Sequence, residues 1–274
     1  FGDADEALRC AREAVRIAEG RGVQRHLLLS KNKLFFVLLY QGRTKSQEGI
    51  LALAHARLLA HKSGDLLMRF QVESNCGVAH MDAFELDEAT HCFEAAGTIL
   101  RGADASVMRL NHQYNLGELA FLKGDLPAAL NHFATAESLL TPSAMPGDIL
   151  LLVTAAIGLC SMELGALSDA RHREAMLRPL PATWHFDPTM VLTFAARLLE
   201  RRARHGEALE LLTPQCQRLK RHFPLAWMKL LPLSTRIARR LGRGGWQEQL
   251  REGIQLATSL GLEARATLLK DVAE

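Results

Sequence analysis

Residues 115–136 read NLGELAFLKGDLPAALNHFATA, and this stretch decides the fold of the chain. Small residues stand at Gly117 and Ala129, where two helices can approach closely, and Phe133 is spaced to fill the gap between them. Gly124 supplies the turn that separates the two helices. The stretch therefore predicts an antiparallel helical hairpin.

The same pattern recurs along the chain. Gly77, Gly117, Gly158 and Ala196 each take the small position on the first helix of a hairpin, and successive members are 38 to 41 residues apart. In the copy that contains Gly77, Phe84 stands where the turn glycine would be. Self-similarity at a fixed period of this length is typical of a stacked array of helical repeats.

Strand signals are absent, since no segment shows sustained alternation of β-branched residues. We therefore predict an all-α chain that forms a single domain over residues 1–274, with about six to seven antiparallel hairpins. The predicted units are an incomplete first repeat at 1–20, hairpins at about 25–60, 66–100, 106–140, 146–178, 187–220 and 224–260, and a C-terminal capping helix at 262–273. Three prolines between 178 and 188 predict a bent connection there.

The small residues, glycine turn and gap-filling phenylalanine of the hairpin resemble the tetratricopeptide repeat (TPR). The usual TPR period is about 34 residues, and the longer period here resembles the TPR-like arrays of large bacterial LuxR-type activators and other signalling ATPases. The resemblance implies a right-handed superhelical solenoid whose first helices line a concave groove. It also implies a protein, peptide or effector as the ligand of that groove.

The beginning of the chain matches only half a hairpin. Residues 3–19 resemble a second helix with no first helix before it, and the chain opens with Phe1. An array that starts inside a repeat would leave an apolar helix face uncovered. We therefore expect a piece of a longer protein; the alternative is an atypical N-terminal cap.

Motifs for catalysis or metal binding are missing from the sequence. The eleven histidines are scattered, without an HExxH motif or a His/Cys metal spacing. The glycine-rich segment 242–245 lacks the Lys-Ser/Thr of a phosphate loop, and no Gly-x-Ser-x-Gly elbow occurs. We predict that the chain is not an enzyme and uses no cofactor or metal.

The five cysteines form no CxxC pair, and we interpret them as small buried side chains in a reducing compartment. There is no signal peptide and no run of about 18 apolar residues. These observations predict a cytoplasmic protein without a membrane partner.

Helical spacing from each small residue predicts which side chains face the groove. Its middle is rich in amides and aromatic rings, which suit the backbone and side chains of an extended peptide. The predicted residues in this zone are Asn32, Phe36, Gln71, Asn75, Asn111, Tyr114, Asn115, Glu118 and Phe121. For Asn75 and Asn115, hydrogen bonding between repeats is an equally open alternative.

The C-terminal zone of the predicted groove is basic. Residues 197–252 carry thirteen Lys or Arg against five acids, a net charge of +8, whereas the whole chain carries +3. The predicted binding residues of this zone are Arg197, Arg201, Lys229, Arg236 and Arg240. Such a zone could attract an acidic peptide or a phosphorylated partner; the alternative is a solvated charged face.

The sequence therefore favours a non-catalytic recognition module, the sensor or scaffold part of a larger bacterial regulator. Its partner would be a protein or peptide, with an acidic one favoured by the basic zone, or a small effector. A structural module that assembles with itself, for example as a homodimer, is the alternative from another class. Nucleic-acid binding by the basic end is a weaker alternative, because no recurring pair of base-reading side chains is present.

Overall fold

A computed structural model describes residues 4–101, 106–140, 147–177 and 187–273. The described residues form fourteen α-helices and no strand, so the prediction of an all-α chain is confirmed. The helices are α1 (Ala4–Arg21), α2 (Gln24–Tyr40), α3 (Gln47–Ser63), α4 (Leu66–Ala83), α5 (Leu86–Leu100), α6 (Ser106–Leu122), α7 (Leu126–Ser138), α8 (Gly147–Glu163), α9 (Leu167–Met176), α10 (Thr189–Arg201), α11 (His205–His222), α12 (Pro224–Arg240), α13 (Trp246–Ser259) and α14 (Glu263–Ala273). The predicted connection at 178–188 lies outside the described residues except for Asp187 and Pro188.

Most helices that follow one another in the chain pack against one another in space. In addition, α2, α4, α6, α8, α10 and α12, which we call the inner helices, each contact the next inner helix. Helices α3, α5, α7 and α11 each contact the two inner helices that flank them in the chain. The inner helices therefore form one continuous row.

Glycine and phenylalanine set the spacing within the hairpins. A Cβ atom added at Gly117 on α6 would lie 2.6 Å from the ring of Phe133 on α7, and one at Gly77 would lie 2.5 Å from Phe93. Both rings are fully buried. The gap-filling role predicted for Phe133 is thus seen directly, because only a glycine leaves room for the ring.

In the hairpin of α8 and α9, the ring that packs on the small residue comes from outside the hairpin. The ring that faces Gly158 belongs to Phe194 on α10, and a Cβ at Gly158 would lie 2.4 Å from it. The phenylalanine thus comes from the next inner helix. This ring joins successive hairpins, whereas Phe133 joins the two helices of one hairpin.

Phe84 occupies the turn position that Gly124 takes in the following hairpin. Gly124 has a φ of 82°, and Phe84 has a φ of 66° in the same left-handed region. A residue with a Cβ adopts this region at a cost of about 1–2 kcal/mol. The guanidinium of Arg265 lies over the Phe84 ring, 5.8 Å from its centroid, so a contact from α14 accompanies the strained turn.

The row of inner helices closes on itself. Helix α12 contacts α2, and α14 contacts α4. Arg265 on α14 is buried and its Nε donates a 2.7 Å hydrogen bond to the backbone carbonyl of Asp82 at the end of α4. Leu225, Leu260 and Leu262 surround Gly42 after α2. The inner helices consequently surround a pocket that is open to solvent, whereas the sequence led us to expect a long open groove.

Within the described part of the chain, no helix combines the length and the apolar character needed to cross a bilayer.

Replacing Gly117 with alanine should destabilise the fold by about 1–3 kcal/mol, because the added methyl group overpacks the site against Phe133. The urea midpoint of unfolding measures this loss. A second change, Phe133→Leu, should recover part of it.

Gly20→Ala in α1 is the matched control, since an added Cβ there meets no atom within 4 Å. This change should be neutral or stabilising by up to about 1 kcal/mol. Equal effects of the two glycine changes would contradict the packing argument.

Candidate functional site

The inner helices enclose a central pocket of about 290 Å³. Its walls come from α2, α4, α6, α8 and α12, together with Asp187 and Thr189 at the start of α10. Seven of the residues predicted to face the groove line it, namely Phe36, Asn75, Asn111, Tyr114, Asn115, Glu118 and Lys229. The structure thus brings together residues that the sequence placed on four separate hairpins.

One part of the pocket wall is aromatic. The ring of Tyr114 packs against Phe133 at a centroid distance of 5.5 Å. Phe36 and Tyr40 meet edge to face at 4.8 Å, and Tyr40 meets Phe223 in the same way at 6.1 Å. Because Phe223 directly precedes α12, the contact of its ring with Tyr40 joins α12 to α2 beside the pocket.

Another part of the pocket wall is a cluster of ion pairs. Nζ of Lys229 on α12 lies 2.5 Å from Oδ1 of Asp82 on α4 and 2.9 Å from Oδ2 of Asp187. Burial disfavours the charged form of Lys229, but the two aspartates outweigh it and raise the pKa of Lys229 well above its ordinary value. Burial likewise opposes ionisation of Asp187, and Lys229 reverses that effect and lowers its pKa. The cluster is therefore charged and internally paired.

Two asparagines of the pocket use their amide nitrogens to connect inner helices. Nδ2 of Asn75 donates to Oδ1 of the buried Asn32 at 3.0 Å, and Nδ2 of Asn115 donates to Oγ of Ser74 at 3.1 Å. The hydrogen bonding between repeats that the sequence left open is therefore present. Asn32 lies behind the pocket wall, while Asn75 and Asn115 still line the pocket.

Glu118 and Tyr114 on α6 face the pocket, and within the described residues neither side chain has a protein hydrogen bond. Burial raises the pKa of Glu118 to about 7, although Lys229 acts in the other direction. Burial, and then the charge of Glu118, raise the pKa of Tyr114 well above its ordinary value. The pocket therefore presents one titrating carboxyl group and one neutral phenol to a ligand.

The remaining residues predicted for the middle of the groove lie elsewhere. Gln71 is exposed on α4 and does not line the pocket. Phe121 is partly buried and packs on the core cluster of α6, α7 and α8.

The predicted basic zone is largely neutralised by acids within the chain. Arg197 and Arg201 lie 2.5 Å and 3.6 Å from the carboxylate of Glu163, and Arg236 lies 2.7 Å from that of Glu200. Arg236 and the exposed Arg240 line a separate hollow beside Trp246. Lys229 is thus the one predicted basic residue that reaches the central pocket.

Asp82 and Asp187 belong to the pocket but were absent from the sequence prediction. Asp82 is almost fully buried near the end of an apolar helix, and a charged residue in such a position signals a buried partner. The partner, Lys229, is distant in the chain. A sequence pattern could therefore flag the charge but could not identify the pair.

A second cluster of side chains lies between α4 and α5. Cys76, His80 and Cys92 place one potential ligand atom each within 4.8 Å of one another, and the two Sγ atoms are 3.3 Å apart. The hydrogen bond with Cys76 lowers the pKa of Cys92 to about 6 against the effect of burial, and the charge of Arg57 contributes in the same direction. The same hydrogen bond, together with burial, raises the pKa of Cys76. The sequence predicted no metal site, although the i, i+4 spacing of Cys76 and His80 is a signal that points to one.

The interpretation of all cysteines as buried holds for four of them, and it is wrong for Cys10, which is exposed on α1.

Comparison with models of known protein families gives no match for this chain. Comparison with curated protein sequences also gives no significant match.

Glu118 should make the stability of the protein depend on pH. Because its pKa is raised from 4.5 to about 7, the folded protein keeps a proton that the unfolded chain has lost, and the free energy of unfolding falls as pH rises through this window. Between about pH 5 and about pH 8, the wild type should lose about 1–3 kcal/mol more than Glu118→Gln does. Urea unfolding at the two pH values measures the difference.

Glu88→Gln, on the exposed surface of α5, is the control and should keep the pH dependence of the wild type. A Glu118→Gln variant with the same dependence would show that Glu118 titrates at its ordinary pKa.

Proposed function

We propose that this chain is a non-catalytic binding module whose ligand occupies the central pocket. The observation that carries the proposal is the central pocket with Glu118 and Tyr114 directed into it and no protein hydrogen bond to either side chain among the described residues. Ligand pockets are concave, mostly apolar and furnished with a few polar groups that fix orientation. The central pocket has this composition.

We further propose that the array is a TPR-like, right-handed superhelical solenoid. The contacts between successive inner helices and the Gly117–Phe133 packing support this reading. The sensor or scaffold role in a larger cytoplasmic, bacterial regulator rests on the resemblance to LuxR-type and signalling-ATPase arrays. A pocket built from α2 and α12 together suits such a role, because an occupant would stabilise the contact between distant parts of the chain.

A small effector fits the pocket better than an extended peptide. The contact of α12 with α2 closes the row that would otherwise form a long groove. A volume of about 290 Å³ lies near the lower end for small-molecule sites, about 300–1,000 Å³. A peptide could enter this space with a terminal residue or one side chain.

The charges in the pocket favour a ligand with an ammonium group on an apolar body. Three carboxyl groups, from Asp82, Asp187 and Glu118, line the pocket against one ammonium, from Lys229. The side-chain amide nitrogens of Asn75 and Asn115 each donate a hydrogen bond to a protein acceptor. The side-chain carbonyl oxygens of the two residues remain as hydrogen-bond acceptors for a ligand. Tyr114 and Phe36 offer rings for the apolar part. This ligand differs from the acidic partner that the basic zone predicted.

Phenethylamine and phenylpropionate form a matched pair of probes, since they share the aromatic body and differ in the charged group. We expect the amine to bind at least tenfold more tightly, a difference of about 1.4 kcal/mol. Its affinity should also fall from about pH 8 to about pH 6 as Glu118, with a pKa of about 7, takes up a proton. Isothermal titration calorimetry or ligand-observed NMR measures both effects.

Glu118→Gln should weaken the preference for the amine, while the control Glu88→Gln should retain it in full. Tighter binding of phenylpropionate, or no binding of either probe at millimolar concentration, would contradict the proposed ligand chemistry.

A second candidate function is self-assembly through α3. Leu51 and Leu58 are 48% and 51% exposed, and their spacing of seven places them on one face of the helix with the exposed Ala54 between them. Contiguous exposed apolar side chains of this kind mark interaction surfaces. A second copy of the chain is the partner that this candidate requires.

If α3 mediates self-assembly, light scattering should detect a dimer that Leu51→Ser with Leu58→Ser converts to a monomer. Val107→Ser on α6 replaces a comparably exposed apolar residue and should leave the dimer intact. A wild type that is monomeric at high concentration would remove this candidate.

A further inference from the structure

Cys76 and His80 lie on one face of α4, because residues four apart in a helix are neighbours on its surface. Cys92 reaches the same point from α5, which packs against α4. Cys76 and Cys92 are buried, and His80 is partly exposed. Two helices of one hairpin therefore direct two thiols and an imidazole to a single position.

The spacing of the three side chains matches a metal site. Two thiolates on one tetrahedral zinc, with Zn–S distances of about 2.3 Å, lie about 3.8 Å apart. The Sγ atoms of Cys76 and Cys92 are 3.3 Å apart, and all three ligand atoms lie within 4.8 Å of one another. A cation could thus be accommodated with side-chain adjustments of about half an ångström.

His80 has the carboxylate partner that metal-binding histidines usually have. Its Nδ1 lies 2.6 Å from Oε2 of Glu85, and Nζ of Lys45 lies 2.7 Å from the same oxygen. Metal-ligating histidines commonly donate one ring N–H to a carboxylate, which fixes the tautomer and makes the other nitrogen a better ligand. The contact with Glu85 leaves Nε2 of His80 for the cation.

The surroundings favour a thiolate at Cys92 and leave one coordination position open. Nη2 of Arg57 lies 3.6 Å from Sγ of Cys92, and Arg57 is itself paired with Glu73 at 2.5 Å. A cavity of about 350 Å³ borders the cluster and is lined by Cys76, His80 and Arg57, among others. The cavity gives a cation a path to the site and gives water room to act as the fourth ligand.

We propose that Cys76, His80 and Cys92 form a binding site for a thiophilic divalent cation of the Zn²⁺ class. The thiolates and Nε2 of His80 are the protein ligands, and the fourth position faces the cavity between α3 and α4. Thiolate and imidazole together select Zn²⁺ over Mg²⁺ or Ca²⁺, which prefer oxygen ligands. The site joins α4 to α5 and does not depend on what occupies the central pocket.

Titration of the reduced, chelator-treated full chain with Zn²⁺, in competition with a chromophoric chelator, tests the proposal. We expect one high-affinity Zn²⁺ per chain. Titration with Co²⁺ should give the intense visible bands of a tetrahedral ion and the near-ultraviolet charge-transfer band of cobalt thiolates.

Cys92→Ser should lower the Zn²⁺ affinity at least a hundredfold and weaken the thiolate band. His80→Gln should alter the visible Co²⁺ bands, and because His80 is partly exposed this variant should keep the fold. Glu85→Gln should reduce affinity by about 10–100-fold without changing the stoichiometry, as expected of a residue that orients a ligand. Circular dichroism verifies the fold of each variant.

Cys160→Ser is the matched control, since Cys160 is equally buried but belongs to α8, and it should bind Zn²⁺ as the wild type does. Unchanged affinity in Cys92→Ser would overturn the site. So would a reduced wild type that binds no Zn²⁺ but forms a Cys76–Cys92 disulfide on oxidation, which would make the two thiols a redox pair instead.

Discussion

Lys229 connects distant segments of the chain where the row of inner helices closes. Its ammonium on α12 pairs with Asp82 on α4 and with Asp187 before α10, so three distant segments share one charge cluster. Moving charges out of water costs several kcal/mol per ion, and removing one partner of a buried pair typically costs about 3–5 kcal/mol. The three charges are therefore paired only when α12 and α4 lie in one particular position relative to each other. Arg265 adds to the same constraint, because its hydrogen bond to the Asp82 carbonyl fixes α14 against the end of α4.

Closure changes what the inner helices can bind. In an open array their side chains would line a long groove, whereas here they surround a pocket in which Glu118 and Tyr114 are the polar groups without a protein partner among the described residues. The same enclosure raises the pKa of Glu118 to about 7, because burial disfavours its charge. A ligand that supplies a positive charge would restore the carboxylate. Shape and electrostatics thus favour the same class of ligand, a small amine.

The cluster of two cysteines and one histidine is formed by residues that are close to one another in the chain. Cys76, His80 and Cys92 belong to one hairpin, and the packing of Gly77 against Phe93 sets the distance between its helices. The close approach that makes the hairpin stable also brings the two sulfur atoms to 3.3 Å. Local packing and the candidate metal site therefore have the same cause.

The sequence by itself determined the features that rest on local periodicity. The all-α class, the Gly117–Phe133 contact and the inward direction of Tyr114, Asn115 and Glu118 follow from helical spacing and from the small residues that let helices approach. Only the tertiary structure decided how Lys229, Asp82 and Arg265 meet, that the basic zone is paired with Glu163 and Glu200, and that the groove is closed. The physical reason is that charges attract across space irrespective of their separation in the chain. A periodic sequence pattern shows which face of a helix is buried, but it does not show which distant helix packs against that face.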